Sequence, residues 1–244
     1  MEQSYGIVLE QKLLEFPPKR KSVRTHAALK VATAKLLEQV GYRELRVADI
    51  AKEAGVGTAT FHDYFNNRTH VAKEVMVEFI HTFLPANVEP HGYSTAFAGI
   101  YFANKGLMDL YQVNVGLMKS MFQLSDHDEE FSLIWRSMST DWYEVVTRTM
   151  LKRYMVGADK KFIFMSIYAL GGMIDEFMRG LYVYKDAPIL DIVEQYNLGD
   201  DALAYYLSIM WYRSIFGENP KKVPNEINPK TVALFEEKLH ILIP

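Results

Sequence analysis

The residues of this 244-residue chain best suited to direct chemistry are small polar side chains that recur along one short segment. Hydroxyl and imidazole groups of this kind donate hydrogen bonds to phosphates and to the base edges of DNA. The segment follows Gly55, which can form a tight turn, and it ends against the aromatic residue Phe65. We therefore predict a contact with nucleic acid. Its polar positions are Thr58, Thr60, His62 and Tyr64.

Two short helices, one on each side of Gly55, would position these side chains. The first is predicted over residues 47–54 and the second over about 58–64. This is the layout of a helix-turn-helix, in which the second helix enters the major groove while the first braces it across the backbone. Arg68 begins the next helix, so its charge and the helix amides could meet on one phosphate. A helix hairpin that only packs within an ordinary all-α protein is the alternative.

The rest of the chain shows helical periodicity and no alternation typical of strands, so we predict an all-α fold. We expect residues 1–21 to form a leader that ends in Lys19, Arg20 and Lys21, and residues 22–84 to form the DNA-binding domain. A larger helical domain would cover residues 85–244, after a boundary between Pro85 and Tyr93. Ser22 is a possible cap for the first helix of the DNA-binding domain. Further helices are predicted at about 94–110, 112–124, 128–156, 160–184, 188–197, 200–216 and 230–242.

Charge and composition narrow the class of protein. Residues 19–81 carry 11 Lys/Arg and 7 Asp/Glu, whereas residues 82–244 carry 15 and 20, so a basic N-terminal part precedes an acidic remainder. A basic part of this kind suits contact with phosphates. The absence of cysteine excludes disulfides and thiolate zinc sites, and it fits a cytoplasmic protein. We find no signal peptide and no apolar stretch long enough to span a bilayer, so we expect no membrane partner.

Enzymatic signatures are missing from the sequence. It contains no G-x-S-x-G elbow, no P-loop, no dinucleotide-binding glycine fingerprint and no H-E-x-x-H. His127 lies in the run D-H-D-E-E, which resembles a metal site but is better explained as a helix start with acidic residues near the positive end of the dipole. We therefore predict no enzyme activity, no cofactor and no metal. An all-α small-molecule-binding or enzymatic protein with a merely structural helix-turn-helix stays open as the alternative.

Residues 24–76 resemble the DNA-binding domain of the TetR family of bacterial transcriptional regulators. The similarity runs through G-Y-R-E-L-R-V-A-D-I-A-K-E-A-G-V-G-T-A-T-F-H-D-Y-F and the following N-N-R-T-H-V. The resemblance implies that Thr60, His62, Tyr64 and Arg68 contact the phosphate backbone or pack the recognition helix. It also implies that Thr58 lies where a Lys or Arg commonly reaches the DNA.

Three residue choices depart from the pattern of this family. Arg46 replaces the usual Thr or Ser cap of the second helix, and His62 replaces a Tyr that commonly contacts phosphate. The recognition helix also carries no Lys or Arg of its own. We therefore expect Arg24, Arg46 and Arg68 to supply much of the phosphate contact, together with the basic cluster of the leader if that cluster is not simply solvated.

The resemblance further implies a divergent helical domain that dimerises and encloses an effector pocket. The protein would then be a ligand-responsive regulator, most often a repressor, that binds a palindromic operator as a homodimer. The dimer would form through helices 160–184 and 200–216, whose small and apolar residues recur at helical spacing.

An effector pocket is predicted among aromatic and methionine side chains, which suit an adaptable apolar cavity and equally suit a packed core. The effector would be small and apolar or amphipathic, such as a fatty-acyl or aromatic compound. Asp175, Glu176 and Arg179 could anchor its polar end, or they could face solvent or pair across the dimer. The predicted lining residues are Tyr101, Phe102, Met108, Tyr111, Met118, Phe122, Trp135, Trp142 and Phe177.

Overall fold

A computed structural model describes residues 3–83, 93 and 95–239 of the chain, and within that part every regular element is a helix. The prediction of an all-α fold is confirmed. Most of the predicted boundary from Pro85 to Tyr93 lies outside the described residues, as do residues 240–242 of the last predicted helix. The helices are α1 (Tyr5–Glu15), α2 (Lys21–Glu44), α3 (Val47–Glu53), α4 (Thr58–His62), α5 (Arg68–Glu78), α6 (Ala96–Val113), α7 (Val115–His127), α8 (Glu129–Arg153), α9 (Lys160–Met178), α10 (Ala187–Gln195), α11 (Asp200–Phe216) and α12 (Pro229–Leu239).

Two segments of π-helix extend α5 and α9, over Phe79–Phe83 and Arg179–Tyr184. Helix α2 is interrupted at Gly41, which has φ of 78° and ψ of 171°. The predicted cap at Ser22 is wrong, because the helix begins one residue earlier and Arg20 occupies the N-cap position.

The chain divides into two compact units. The first comprises residues 1–86 and 111–138, and the second comprises residues 87–110 and 139–244. The first unit therefore contains α7 and the start of α8 in addition to the helices at residues 22–84. The second unit contains most of α6, the rest of α8, and helices α9 to α12.

Helices α2 and α7 approach each other unusually closely inside the first unit. A Cβ atom added to Gly116 would lie 1.9 Å from the carbonyl oxygen of Glu38, so only glycine permits this approach. The Glu38 carboxylate accepts hydrogen bonds from the backbone N–H groups of Gly116 and Leu117, each at 2.9 Å. It thereby satisfies two amides at the start of α7 that have no partner within their own helix. Burial raises the pKa of the Glu38 carboxyl group, while these two hydrogen bonds oppose the rise.

Helix α1 packs along α2, although the sequence predicted only a leader there. The Tyr5 backbone N–H donates to Oδ1 of the fully buried Asn114 at 2.8 Å, and the Tyr5 ring lies 5.2 Å from that of Phe79. Lower on the helix, the Glu10 carboxylate pairs with Lys35 Nζ at 2.9 Å. Helix α1 is thus fixed at its first turn and again near its middle.

Helix α11 lies at the centre of the second unit. Its Ser208 hydroxyl accepts a buried hydrogen bond from Asn104 Nδ2 at 2.9 Å, and the Phe97 ring packs edge-on against that of Tyr205. The Phe235 ring of α12 lies 5.9 Å from the Tyr205 ring. Side chains on several faces of α11 are buried, among them Ala204, Leu207, Ser208 and Trp211.

Candidate nucleic-acid interface

The helix-turn-helix predicted from the sequence is formed by α3, the four-residue turn 54–57, and α4. Gly55 adopts φ of 69°, a left-handed conformation that glycine reaches without strain. The Val56 N–H donates to the Ala51 carbonyl at 2.9 Å and closes the end of α3. Gly57 then occupies the N-cap position of α4. The fully buried residues Ile50 and Phe61 hold the two helices on the core of the first unit.

The outer surface of α4 is polar and uncharged over its helical residues. Thr58 and His62 are exposed and, being four residues apart, lie on the same face of the helix. Thr60 and Tyr64 are half-buried, and residues two apart on a helix do not share a face. The structure therefore brings Thr58 and His62 together on an exposed surface that could donate hydrogen bonds to phosphates or bases, and it does not place Thr60 and Tyr64 on that face. Asp63, just beyond the helix, is also exposed and carries the only charge in the segment 58–65 when His62 is neutral.

Arg68 is engaged inside the first unit. Its Nη1 atom donates to the carbonyl oxygens of Arg43 at 2.9 Å and of Leu45 at 2.7 Å, at the end of α2. Its guanidinium carbon lies 5.2 Å from the centroid of the Tyr42 ring, and the Tyr42 hydroxyl is hydrogen-bonded to Thr69 Oγ1 at 2.9 Å. Arg68 thus ties the start of α5 to the turn that leads into α3.

The sequence predicted that Arg68 and free amides at the start of α5 bind one phosphate, but one of these amides is hydrogen-bonded within the chain. The Asn67 side chain caps α5, because its Oδ1 atom accepts a hydrogen bond from the His70 N–H at 2.9 Å. One of the amides at this helix start is therefore already satisfied within the chain.

The two other predicted arginines differ in their surroundings. Arg24 Nη1 donates to the carbonyl oxygens of Pro18 at 3.2 Å and Lys19 at 3.4 Å, so it holds the turn between α1 and α2. Arg46 is exposed at the N-cap of α3, where it forms no side-chain cap hydrogen bond. It lies in an open groove of about 450 Å³ between α2 and α3. Of the three arginines, Arg46 is the one placed most openly toward solvent.

The match to known proteins is concentrated in this same segment. Residues 30–75 match the family model described as bacterial regulatory proteins, tetR family. This segment of the chain is thus similar to the tetR family of bacterial regulatory proteins. The matched region covers α3, the turn, α4 and most of α2 and α5, so the similarity coincides with the helix-turn-helix. Among curated protein sequences, none matches this chain.

Solved structures of tetR-family and related regulators share the fold over most of the chain at low sequence identity. The fatty acid degradation regulator FadR from Bacillus halodurans is 13% identical with a TM-score of 0.57, covering 76% of this chain and 93% of that one. FadR from Bacillus subtilis, solved in complex with stearoyl-CoA, is 16% identical with a TM-score of 0.53, covering 78% and 97%. A TetR-family transcriptional regulator from Bordetella parapertussis 12822 is also 16% identical, with a TM-score of 0.53 and coverage of 77% and 93%.

The nine predicted pocket residues are divided between the two units. Tyr111, Met118, Phe122 and Trp135 belong to the first unit, and the other five belong to the second. Four of the nine are fully buried, and the rest are half-buried. Those fully buried are Tyr101, Met108, Tyr111 and Met118.

The three polar residues on the predicted dimer helix lie in different environments. Asp175 is largely surrounded by protein, and burial raises the pKa of its carboxyl group to about 6. The Tyr143 ring packs one turn away against Gly171, where a Cβ would lie 2.4 Å from the ring. Glu176 is exposed and pairs with Arg179 on its own helix. Asp175 is therefore the one of the three that could contact a molecule inside the second unit.

The predicted helix start in the D-H-D-E-E run is present. Asp128 Oδ1 accepts a hydrogen bond from the Phe131 N–H at 2.8 Å at the start of α8, and its carboxylate also pairs with Lys73 at 3.1 Å. Across residues 3–83, 93 and 95–239, no three His, Asp or Glu side chains gather to hold a metal ion. Nor does that part of the chain contain a helix long and apolar enough to cross a bilayer.

Sequence reasoning missed the internal roles of Arg24 and Arg68. Both side chains bind backbone carbonyls at helix ends, and no residue spacing encodes where a distant carbonyl will point. Helix α1 could have been predicted from a weak pattern, because the apolar residues Tyr5, Leu9 and Leu13 recur at the four-residue spacing of a helix.

We predict that Arg68→Ala lowers the free energy of unfolding by about 1–3 kcal/mol, since it leaves two carbonyl groups without their charged donor. Urea denaturation at fixed protein concentration measures this loss. Arg46→Ala is the matched control, because it removes the same charge from an exposed position and should change stability by no more than about 0.5 kcal/mol. Equal stabilities of the two variants would contradict the internal role of Arg68.

Proposed function

We propose that the protein is a dimeric, ligand-responsive transcriptional regulator, acting as a repressor, that binds a palindromic operator through α4 of each subunit. The observation that carries this proposal is that α4 of the helix-turn-helix presents a polar surface to solvent. On the opposite side of this segment, Phe61 and Phe65 are buried in the core. One recognition helix reads few bases, so two copies on paired half-sites multiply specificity. In this proposal Thr58 and His62 reach base edges or phosphates, Thr60 and Tyr64 support them, and Arg46 contacts the flanking backbone.

A second copy of the chain is supported by the surface of α9. Phe162, Met165 and Tyr168 expose 67%, 59% and 56% of their surface and follow one another at three-residue spacing. Exposed Gly172 continues the row and would allow close approach of another helix. About half of the side chains of α11 are already buried within a single chain. We therefore assign α9 the larger part of the dimer contact, ahead of α11.

The effector would bind in the second unit. The support is the group of half-buried and buried aromatic and methionine residues there, together with the stearoyl-CoA complex of the structurally similar Bacillus subtilis FadR. An amphipathic fatty-acyl compound would place its chain among Tyr101, Phe102, Met108, Trp142 and Phe177. The effector would bind one of two conformations more tightly and so shift the protein toward it. The affinity for the operator would change because the two conformations also differ in their affinity for DNA.

We expect wild-type protein to retain a specific site from its own genomic DNA, with an affinity that falls steeply as salt increases. His62→Ala should weaken binding to that site by about tenfold or more, because a contact to DNA is lost. His81→Ala is the matched control, since His81 is another exposed histidine of the first unit and lies outside the helix-turn-helix. Gel-shift titration measures both. The regulator proposal fails if wild-type protein shows no salt-sensitive affinity for any genomic fragment.

The dimer proposal is tested by Phe162→Asp combined with Met165→Asp. Two carboxylates on the exposed face of α9 should convert the dimer to a monomer, because charge would be buried without a partner. Leu133→Asp combined with Val156→Asp is the control, since it replaces two other exposed apolar side chains. Sedimentation velocity separates the species. A variant at α9 that stays dimeric, or a wild-type protein that is monomeric, would contradict the assignment.

The effector proposal is tested with stearoyl-CoA as the probe and coenzyme A as its control. Stearoyl-CoA should change the fluorescence of Trp142 and alter affinity for the selected DNA site, whereas coenzyme A lacks the apolar chain and should do neither. Trp142→Phe identifies the fluorescent reporter and keeps an aromatic ring in place. If stearoyl-CoA neither binds in native mass spectrometry nor changes DNA affinity, the fatty-acyl assignment is wrong.

A further inference from the structure

The turn between α1 and α2 carries the densest positive charge in the first unit. We name Lys19, Arg20 and Lys21 the basic turn; all three side chains are exposed. From Gln11 to Arg24 the sequence holds five Lys/Arg residues and one acidic residue, Glu15. Such a local excess of charge attracts a polyanion.

The basic turn is held in place from both sides. Arg24 Nη1 donates to the carbonyl oxygens of Pro18 and Lys19, which fixes the chain just before α2. Pro17 and Pro18 restrict the backbone, since each proline ring locks its own φ. Helix α1 is itself anchored through Tyr5 on Asn114. Charges on a pre-ordered support lose less conformational freedom on binding than charges on a flexible tail.

The first turns of α2 also lie beside the end of the recognition helix. The His26 ring stacks on the Phe65 ring with centroids 4.9 Å apart, and its centroid is 6.1 Å from that of Tyr64. Only five residues separate Lys21 from His26, or roughly 8 Å along the helix. Lysine and arginine side chains at the basic turn can therefore reach the backbone that borders a groove occupied by α4.

The recognition segment itself carries no positively charged Lys or Arg. The segment 58–65 has no Lys or Arg and includes the exposed carboxylate of Asp63. The guanidinium of Arg68 is bonded to the carbonyls of Arg43 and Leu45. Affinity for DNA depends largely on neutralising phosphates, so exposed cations outside α4 must provide that contribution.

We propose that the basic turn is a second DNA-binding element, which contacts backbone phosphates beside the groove entered by α4. Arg24 is a positioning residue that keeps the basic turn in its DNA-facing conformation. This inference rests on the proposed DNA-binding function, and it assigns base recognition and phosphate contact to two different elements of the first unit. The surface of α4 reads the site, and the turn between α1 and α2 supplies much of the phosphate contact.

The experiment compares Lys19→Gln/Arg20→Gln/Lys21→Gln with Lys152→Gln/Arg153→Gln/Lys161→Gln. Both triple variants remove three exposed positive charges, and the control removes them from the second unit. Affinity for a duplex carrying the site selected by wild-type protein is measured across a range of salt concentrations. We expect the basic-turn variant to reduce the slope of log affinity against log salt by about 2–3, as for two or three lost phosphate contacts. The control should keep the wild-type slope.

Arg24→Gln tests the positioning role. Alone it should weaken DNA binding, but added to the basic-turn triple variant it should cause no further loss, because two residues acting through one element are not additive. In the absence of DNA, Arg24→Gln should also speed tryptic cleavage after Lys19, Arg20 and Lys21, since the turn is released. Additive losses of affinity, or unchanged cleavage, would contradict the positioning role.

The outcomes separate this inference from the proposed function. Wild-type protein that binds its selected site, together with a basic-turn variant of unchanged salt slope, overturns the second DNA contact and leaves α4 as the DNA-binding element. Wild-type protein without salt-sensitive DNA affinity overturns the proposed function itself. Circular dichroism melting curves of each variant show whether a loss of affinity comes from unfolding.

Discussion

The close approach of α2 and α7 is the constraint on which the first unit depends. It requires a residue without a side chain at Gly116, and the Glu38 carboxylate then caps the amides at the start of α7. Asn114, one residue before α7, is fixed by the same contact and receives the Tyr5 N–H of α1. At the other end of α7, Asp128 pairs with Lys73 of α5. One helix pair therefore sets the positions of α1 and α5.

The carbonyl groups at the end of α2 form a second organising point. Gly41 breaks the helix, and Arg68 donates hydrogen bonds to the carbonyls of Arg43 and Leu45 beyond the break. The positive charge of Arg68 is therefore used for hydrogen bonds to these two carbonyl groups within the protein. The Arg68 guanidinium, which the sequence predicted to contact DNA, forms hydrogen bonds within the first unit.

Features set by nearby residues were predictable from the sequence, and features set by distant ones were not. The turn at Gly55, the N-cap at Gly57 and the bounds of α11 follow from local glycine spacing and periodicity. The inward roles of Arg24 and Arg68 depend on where other helices end, and periodicity carries no such information. The apolar stripe of α11 could equally have faced a partner or its own core. Only the packing of Phe97 and Phe235 decides that it faces the core.

The neutral surface of α4 has a consequence for evolution and for engineering. In the proposed complex with DNA, substitutions on α4 would alter which bases are favoured and would leave the electrostatic attraction to DNA almost intact, because the helical residues carry no Lys or Arg. A library randomised at positions 58, 59 and 62 would then vary sequence preference at nearly constant non-specific affinity. On that proposal, a new target sequence would require few mutations and no prior loss of affinity for DNA.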